Sequence, residues 1–225
     1  LINFWKKKPK ESNTPSSSER TPPTIPPEVM KDMKFEDVEK AMRKMKFSMD
    51  SINQLAKNNP NDKMYQDIKN PEEFKLRSIA LQVSLIGQYE KAIEYCNQGL
   101  KINPNSPFLF YLKGRSEADI GNFNEGILDL GTSIKLRPDF EDAYVELGTI
   151  CEKVGMPEQA IASYDKALQI EPDSAELLDM KGNALYNLDR YEEAILCYDK
   201  ALRIRPDLTS ALNNKGLALA KLGKA

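Results

Sequence analysis

Pro104, Pro138, Pro172 and Pro206 stand 34 residues apart. The sequence between them repeats with the same spacing. Residues 139–172 read DFEDAYVELGTICEKVGMPEQAIASYDKALQIEP, and residues 173–206 read DSAELLDMKGNALYNLDRYEEAILCYDKALRIRP. A fixed period of this length does not describe one closed core. Each copy is too short to bury its apolar face alone, so copies stack and share a continuous core. The period therefore predicts an all-α solenoid of antiparallel helix pairs.

Each repeat is numbered 1 to 34, starting at Glu73, Pro107, Glu141, Ala175 and Thr209. Position 8 is then Ala80, Gly114, Gly148, Gly182 and Gly216, position 20 is Ala92, Gly126, Ala160 and Ala194, and position 27 is Gly99, Ser133, Ala167 and Ala201. Small residues at these spacings belong where two helices cross closely. Position 24 is Cys96, Leu130, Tyr164 and Tyr198, the bulky filler between repeats. Position 15 is Gly87, Gly121, Gly155, Asp189 and Gly223, suited to the left-handed residue that ends a helix. Pro157 fits the first turn of a second helix, and the proline at position 32 stops it. Asn70-Pro71-Glu72-Glu73 starts the array with an Asn cap, a first-position proline and acids in the first turn.

This pattern resembles the tetratricopeptide repeat, whose marks are small residues at 8, 20 and 27, an aromatic at 24 and proline at 32. The resemblance covers about residues 71–225, with repeats at about 73–106, 107–140, 141–174 and 175–208 and a truncated one at 209–225. Repeats 141–174 and 175–208 are very close matches. Repeat 73–106 is looser, with Ala80 for glycine, and repeat 107–140 carries Glu117 at a usually apolar position, which predicts less regular packing. The phrasing NKGLALAKLGK is similar to archaeal members. The resemblance implies a right-handed superhelix. Leu212, Leu217, Leu219 and Leu222 leave the last repeat more apolar than a finished end, so the natural protein is expected to continue beyond Ala225, and the opening on Leu1 rather than methionine reads as a fragment or as a processed start.

The preceding segment is different. Leu1-Ile2-Asn3-Phe4-Trp5 followed by Lys6-Lys7-Lys8 reads either as the end of a membrane span meeting its cytoplasmic charges or as a basic N-terminus. Residues 9–27, PKESNTPSSSERTPPTIPP, are too poor in apolar side chains to offset their chain entropy and predict a disordered linker. Residues 28–70 form an amphipathic helix and connector. Phe35, Met42, Met49 and Ala56 are seven apart, with Val38, Met45 and Ile52 between them. That seam supports three readings: a helix packed on the array, a coiled-coil homodimer, or a basic helix on a membrane surface. Residues 1–58 carry a net +4 and the remainder −6, within a whole-chain net charge of −2. An acidic array has no electrostatic reason to seek nucleic acid.

The chain has no histidine, which removes the commonest general base, the Ser-His and Cys-His pairs and most zinc and haem sites. No phosphate-cradling GxxxxGK[ST] or GxGxxG is present. Cys96, Cys151 and Cys197 show no CxxC and read as buried free thiols of a reducing compartment. The acidic pairs Glu72-Glu73, Glu141-Asp142 and Glu192-Glu193 sit near helix starts, where they complement the dipole. No catalytic residue, cofactor or metal site is expected, and the class that remains is protein binding.

By resemblance, the first helix of each repeat lines a concave groove, with positions 2, 5, 6, 9, 12 and 13 pointing into it. On this chain that implies Tyr111, Arg115, Asp119, Asp142, Glu146, Thr149, Lys153, Glu176, Asp179, Asn183, Tyr186 and Asn214. Asp142, Glu146, Glu176 and Asp179 would form an acidic strip favouring a segment with lysine or arginine. The same acids would repel the C-terminal carboxylate that the family's chaperone clamp holds. The asparagine ladder of its sugar-transferring relatives has one matching rung, Asn214, among Ser78, Leu112, Glu146 and Met180. The expected function is therefore a non-catalytic scaffold for a peptide segment or helix, on the cytoplasmic side and tethered to the membrane if the N-terminus is a span. The alternative is the substrate-docking array of a larger enzyme, such as a glycosyltransferase, whose catalytic domain lies beyond residue 225.

Overall fold

The computed structural model describes residues 40, 49–58, 65, 68 and 70–223. The N-terminal segment 1–39, with its span and linker readings, lies outside the described residues, as do residues 41–48 of the amphipathic helix. Among the described residues the chain is all helical. Its elements are α1 (Met49–Asn58), α2 (Pro71–Leu85), α3 (Tyr89–Ile102), α4 (Pro107–Asp119), α5 (Phe123–Leu136), α6 (Glu141–Lys153), α7 (Pro157–Ile170), α8 (Ala175–Asn187), α9 (Tyr191–Ile204) and α10 (Thr209–Lys221). Each helix packs on the next, giving a solenoid of helix pairs. Among the described residues no helix is long and apolar enough to cross a membrane.

The two ends of a repeat's first helix use different devices. Its start is capped by a side chain in three repeats: Asn70 Oδ1 accepts from the Glu73 amide at 2.9 Å, and the Ser106 and Ser174 hydroxyls accept from Leu109 and Leu177 at 3.4 Å. Its end turns through a left-handed residue at position 15, with φ of +77° at Gly87, +90° at Gly121, +77° at Gly155 and +57° at Asp189. The next amide then reaches back five residues, Gln88 to Val83 at 2.9 Å, Asn122 to Glu117 at 2.8 Å, Met156 to Cys151 at 2.8 Å and Arg190 to Leu185 at 3.0 Å. These bonds satisfy the last carbonyls of the first helix and aim the second helix back along it. Asp189 keeps the register without glycine because aspartate tolerates this backbone region better than most residues.

Position 8 works in two ways. In repeats 141–174 and 175–208 a methyl group at Gly148 or Gly182 would meet the ring of Tyr164 at 2.5 Å or of Tyr198 at 2.4 Å. The position-24 ring therefore lies on the glycine of its own repeat, inside the hairpin. Its hydroxyl donates to Glu152 at 2.7 Å (Tyr164) or Asn183 at 2.9 Å (Tyr198). In repeat 107–140 position 24 is Leu130, and the backbones themselves close up. A methyl at Gly114 would stand 2.8 Å from the Gly126 carbonyl oxygen, and one at Gly126 would stand 2.8 Å from that of Gly114.

Glu117 does not disrupt its repeat. It is buried, and Asn122, in the turn that follows, donates to its carboxylate at 2.8 Å. The first repeat holds an ion pair with both side chains 0% exposed: Arg77 donates to Glu73 at 2.5 Å and to the Ser106 hydroxyl at 2.7 Å, while Asn103 donates to Glu73 at 3.1 Å. This network ties α2 to the turn between α3 and α4. Over Met49–Asn58 the seam residues face the same core: Ile52 is 1% exposed within the cluster around Phe74 and Ile79, with Met49 and Ala56 beside it. The three cysteines are free and buried.

Candidate protein-binding groove

The curvature follows from which helices approach each other across repeats. The first helices do so directly, α2 with α4, α4 with α6 and α8 with α10, whereas no pair of second helices comes as close. First helices therefore line the inner side of the curve. The residues the sequence singles out all lie on these first helices.

Six of those residues form one electrostatic network at the junction of α4 and α6. Tyr111, Arg115 and Asp119 come from α4, spaced four apart on one helix face, and Asp142, Glu146 and Lys153 come from α6. The Tyr111 ring lies against Phe140 with centroids 5.0 Å apart and against Phe108 at 6.1 Å. Burial pushes the Tyr111 hydroxyl up to about 12, with Arg115 pulling the other way. Desolvation opposes the Arg115 charge, but Tyr111, Glu146 and Asp119 more than offset it. Burial also raises the Glu146 carboxyl above its usual value, opposed by Arg115, reinforced by Asp119 and opposed again by Lys153. Here the Glu146 carboxylate, the Arg115 guanidinium and the Tyr111 phenol are half-buried, while Asp119, Asp142 and Lys153 reach solvent.

The other candidates are engaged locally. Thr149 donates to the Val145 carbonyl at 3.0 Å. Glu176 is ion-paired with Arg205, which extends from the end of α9. Asp179 is buried and accepts from Asn214 at 3.1 Å, a bond that joins α8 to α10. Asn183 holds the Tyr198 hydroxyl, and Tyr186 packs edge-on against Tyr191 at 5.2 Å. The acidic strip thus divides. Asp142 and Glu146 belong to the α4–α6 network, joined by Asp119, whereas Glu176 and Asp179 serve contacts within and between repeats. Arg205 sits at position 31, outside the groove positions, so a reading confined to first helices has no reason to pair it with Glu176. Among the described residues no group of His, Cys, Asp or Glu side chains could hold a metal ion.

Three stretches match family profiles for this repeat: residues 84–106 and 141–174 as tetratricopeptide repeats, and residues 182–223 as a TPR repeat. The chain belongs to the tetratricopeptide repeat family. Solved tetratricopeptide structures share its fold. A crystal structure of MamA is 24% identical with a TM-score of 0.63, covering 68% of this chain and 84% of that one. MamA from Desulfovibrio magneticus RS-1 is 19% identical with a TM-score of 0.65, covering 70% and 89%. YrrB, described as a TPR protein with an unusual peptide-binding site, is 17% identical with a TM-score of 0.60, covering 77% and 84%. At these identities the likeness is one of fold. No curated protein matches the sequence.

Proposed function

We propose that this tetratricopeptide protein is a non-catalytic interaction scaffold. Its inner face, centred on α4 and α6, holds a short segment or helix of another protein that carries lysine or arginine. The observation that carries this reading is the network of Tyr111, Arg115, Asp119, Asp142 and Glu146, where Glu146 and Asp119 act on the Arg115 guanidinium and Asp142 and Glu146 act on the Tyr111 phenol. A ligand cation entering there meets one carboxylate already partly desolvated, Glu146, so the charge contact is stronger than on an open surface. The YrrB description gives a fold precedent for peptide binding by such an array. In this reading residues 71–225 are the binding array, and the basic, proline-rich segment before it is a tether.

The test is the affinity of the full chain for lysine-rich and glutamate-rich peptides of matched apolar content, by fluorescence anisotropy at low and high salt. The lysine-rich peptide should bind, weaken with salt and lose about tenfold or more in an Asp142→Lys, Glu146→Lys variant. Equal binding of both peptides, or binding indifferent to the variant, would remove the proposal.

A further inference from the structure

The outer face carries a second, chemically opposite feature. A cavity of about 670 Å³ lies between the second helices α7 and α9, floored by α8. It continues into another of about 370 Å³, and the two share Asp165, Lys181, Cys197 and Lys200. Together they border α9 from Arg190 to Ile204, a trough about 20 Å long at 1.5 Å per helical residue.

The sequence here differs from that one repeat earlier. The floor positions are Leu178 and Lys181, where the preceding repeat has Tyr144 and Leu147. Leu178 lacks the ring of Tyr144, and Lys181 forms a 2.5 Å ion pair with Asp165. Apolar surface is left uncovered at the edges, with Leu196 61% and Ile204 43% exposed.

The charges of the trough are not balanced among themselves. Lys181 is neutralised by Asp165, and Arg190 by a bidentate contact to Glu193 at 2.7 Å. Lys200 makes no hydrogen bond or ion pair among the described residues, and Arg203 spends only Nε, on the Asp199 carbonyl at 3.3 Å. Against these two cations stands one lining carboxylate without an ion pair, Asp173, at the turn end. Unpaired cations beside exposed Leu196 and Ile204, on an otherwise acidic array, select against basic segments and complement acidic ones.

We propose that the α7–α9 trough is a second docking surface, and that its occupant is an acidic amphipathic segment of another protein. The segment's apolar side chains lie on Leu178, Leu196 and Ile204, and its carboxylates meet Lys200 and Arg203. The inner and outer faces then take segments of opposite charge, and the chain joins two partners rather than holding one. This assignment does not depend on the inner-face reading, since it rests on other helices and the opposite charge.

The experiment uses the full chain and a labelled fourteen-residue peptide of glutamate and leucine at helical spacing. Controls are the lysine-leucine mirror and a glutamate-serine version without apolar side chains. The glutamate-leucine peptide should bind, and both controls should bind about tenfold more weakly or worse. A Lys200→Glu, Arg203→Glu variant should lose about tenfold in that binding, as should Ile204→Glu, while Asp142→Lys, Glu146→Lys keeps it. All substituted residues are at least partly exposed, and an unchanged thermal midpoint certifies folding. Four outcomes would overturn the assignment. These are no binding of the glutamate-leucine peptide, equal binding of its mirror, sensitivity to the inner-face variant instead, or a concentration-dependent dimer that the trough variants dissolve, which would make a second copy the occupant.

Discussion

Repeats 73–106 and 107–140 differ from repeats 141–174 and 175–208 in how they fill the same helical crossing. The later pair uses one solution twice, a tyrosine ring laid on a glycine with its hydroxyl bonded to the first helix. The earlier pair uses two others. Repeat 107–140 brings Gly114 and Gly126 backbones together beneath Leu130. Repeat 73–106 buries Ala80 and Cys96 completely in one core cluster and anchors its ends through the buried Glu73–Arg77 network. The repeat pattern thus specifies a volume at the crossing, and several chemistries can occupy it.

Ion pairs show the same logic. Lys181 pairs with Asp165 at 2.5 Å and Lys215 with Asp199 at 2.6 Å, the same two repeat positions one period apart. Lys113 holds the equivalent position, but the residue before it in register is Asn97. It turns instead to Asp129 in its own repeat, at 3.0 Å.

The largest break in this comparison comes from the buried pair. Arg77→Met leaves the Glu73 carboxylate buried without its partner and should cost about 3–5 kcal/mol. Lys181→Met removes a half-exposed pair and should cost about 0–1 kcal/mol. Urea denaturation followed by hydrogen exchange checks both, and the first variant should open α2 and α3 before the rest. Equal costs would mean that the two halves are not held differently.

Glycine substitutions come next. Gly114→Ala drives a methyl toward a backbone oxygen that cannot swing away and should destabilise by about 2–3 kcal/mol. Gly216→Ala has nothing within 4 Å and should stabilise its helix by up to about 1 kcal/mol through propensity alone. Thermal denaturation of the two variants should move in opposite directions.

The smallest effect is electrostatic. Burial raises the folded-state value of Glu146 above the usual 4.5. Its stabilising contribution is therefore present at low pH, when it is protonated, and is lost as pH rises through the folded value. Binding runs the other way. A lysine-bearing peptide needs the carboxylate and should weaken as pH falls through that raised value, while Glu146→Gln flattens the profile. Titrations of peptide affinity against pH for both proteins read this directly.

Most of the fold was legible because its causes are local and periodic. The positive-φ residue at position 15, the Asn70 cap and the proline stop each act within a few residues, so spacing alone exposes them. The site was less legible because its chemistry depends on partners far apart in sequence. Asp179 and Glu176 read as groove acids until Asn214 and Arg205, 35 and 29 residues on, are seen to engage them. Glu117 reads as a packing fault until Asn122 is seen to satisfy it. The α7–α9 trough had no motif at all. Its lining includes Leu178 where the preceding repeat has Tyr144, a difference that hydrophobic patterning does not register.

The most direct test is a hydrogen-exchange footprint of the full chain with a bound lysine-rich peptide. The account predicts new protection on α4 and α6, centred on Arg115 and Glu146, with α7 and α9 unchanged. Protection confined to α7 and α9, or spread evenly along the array, would contradict it.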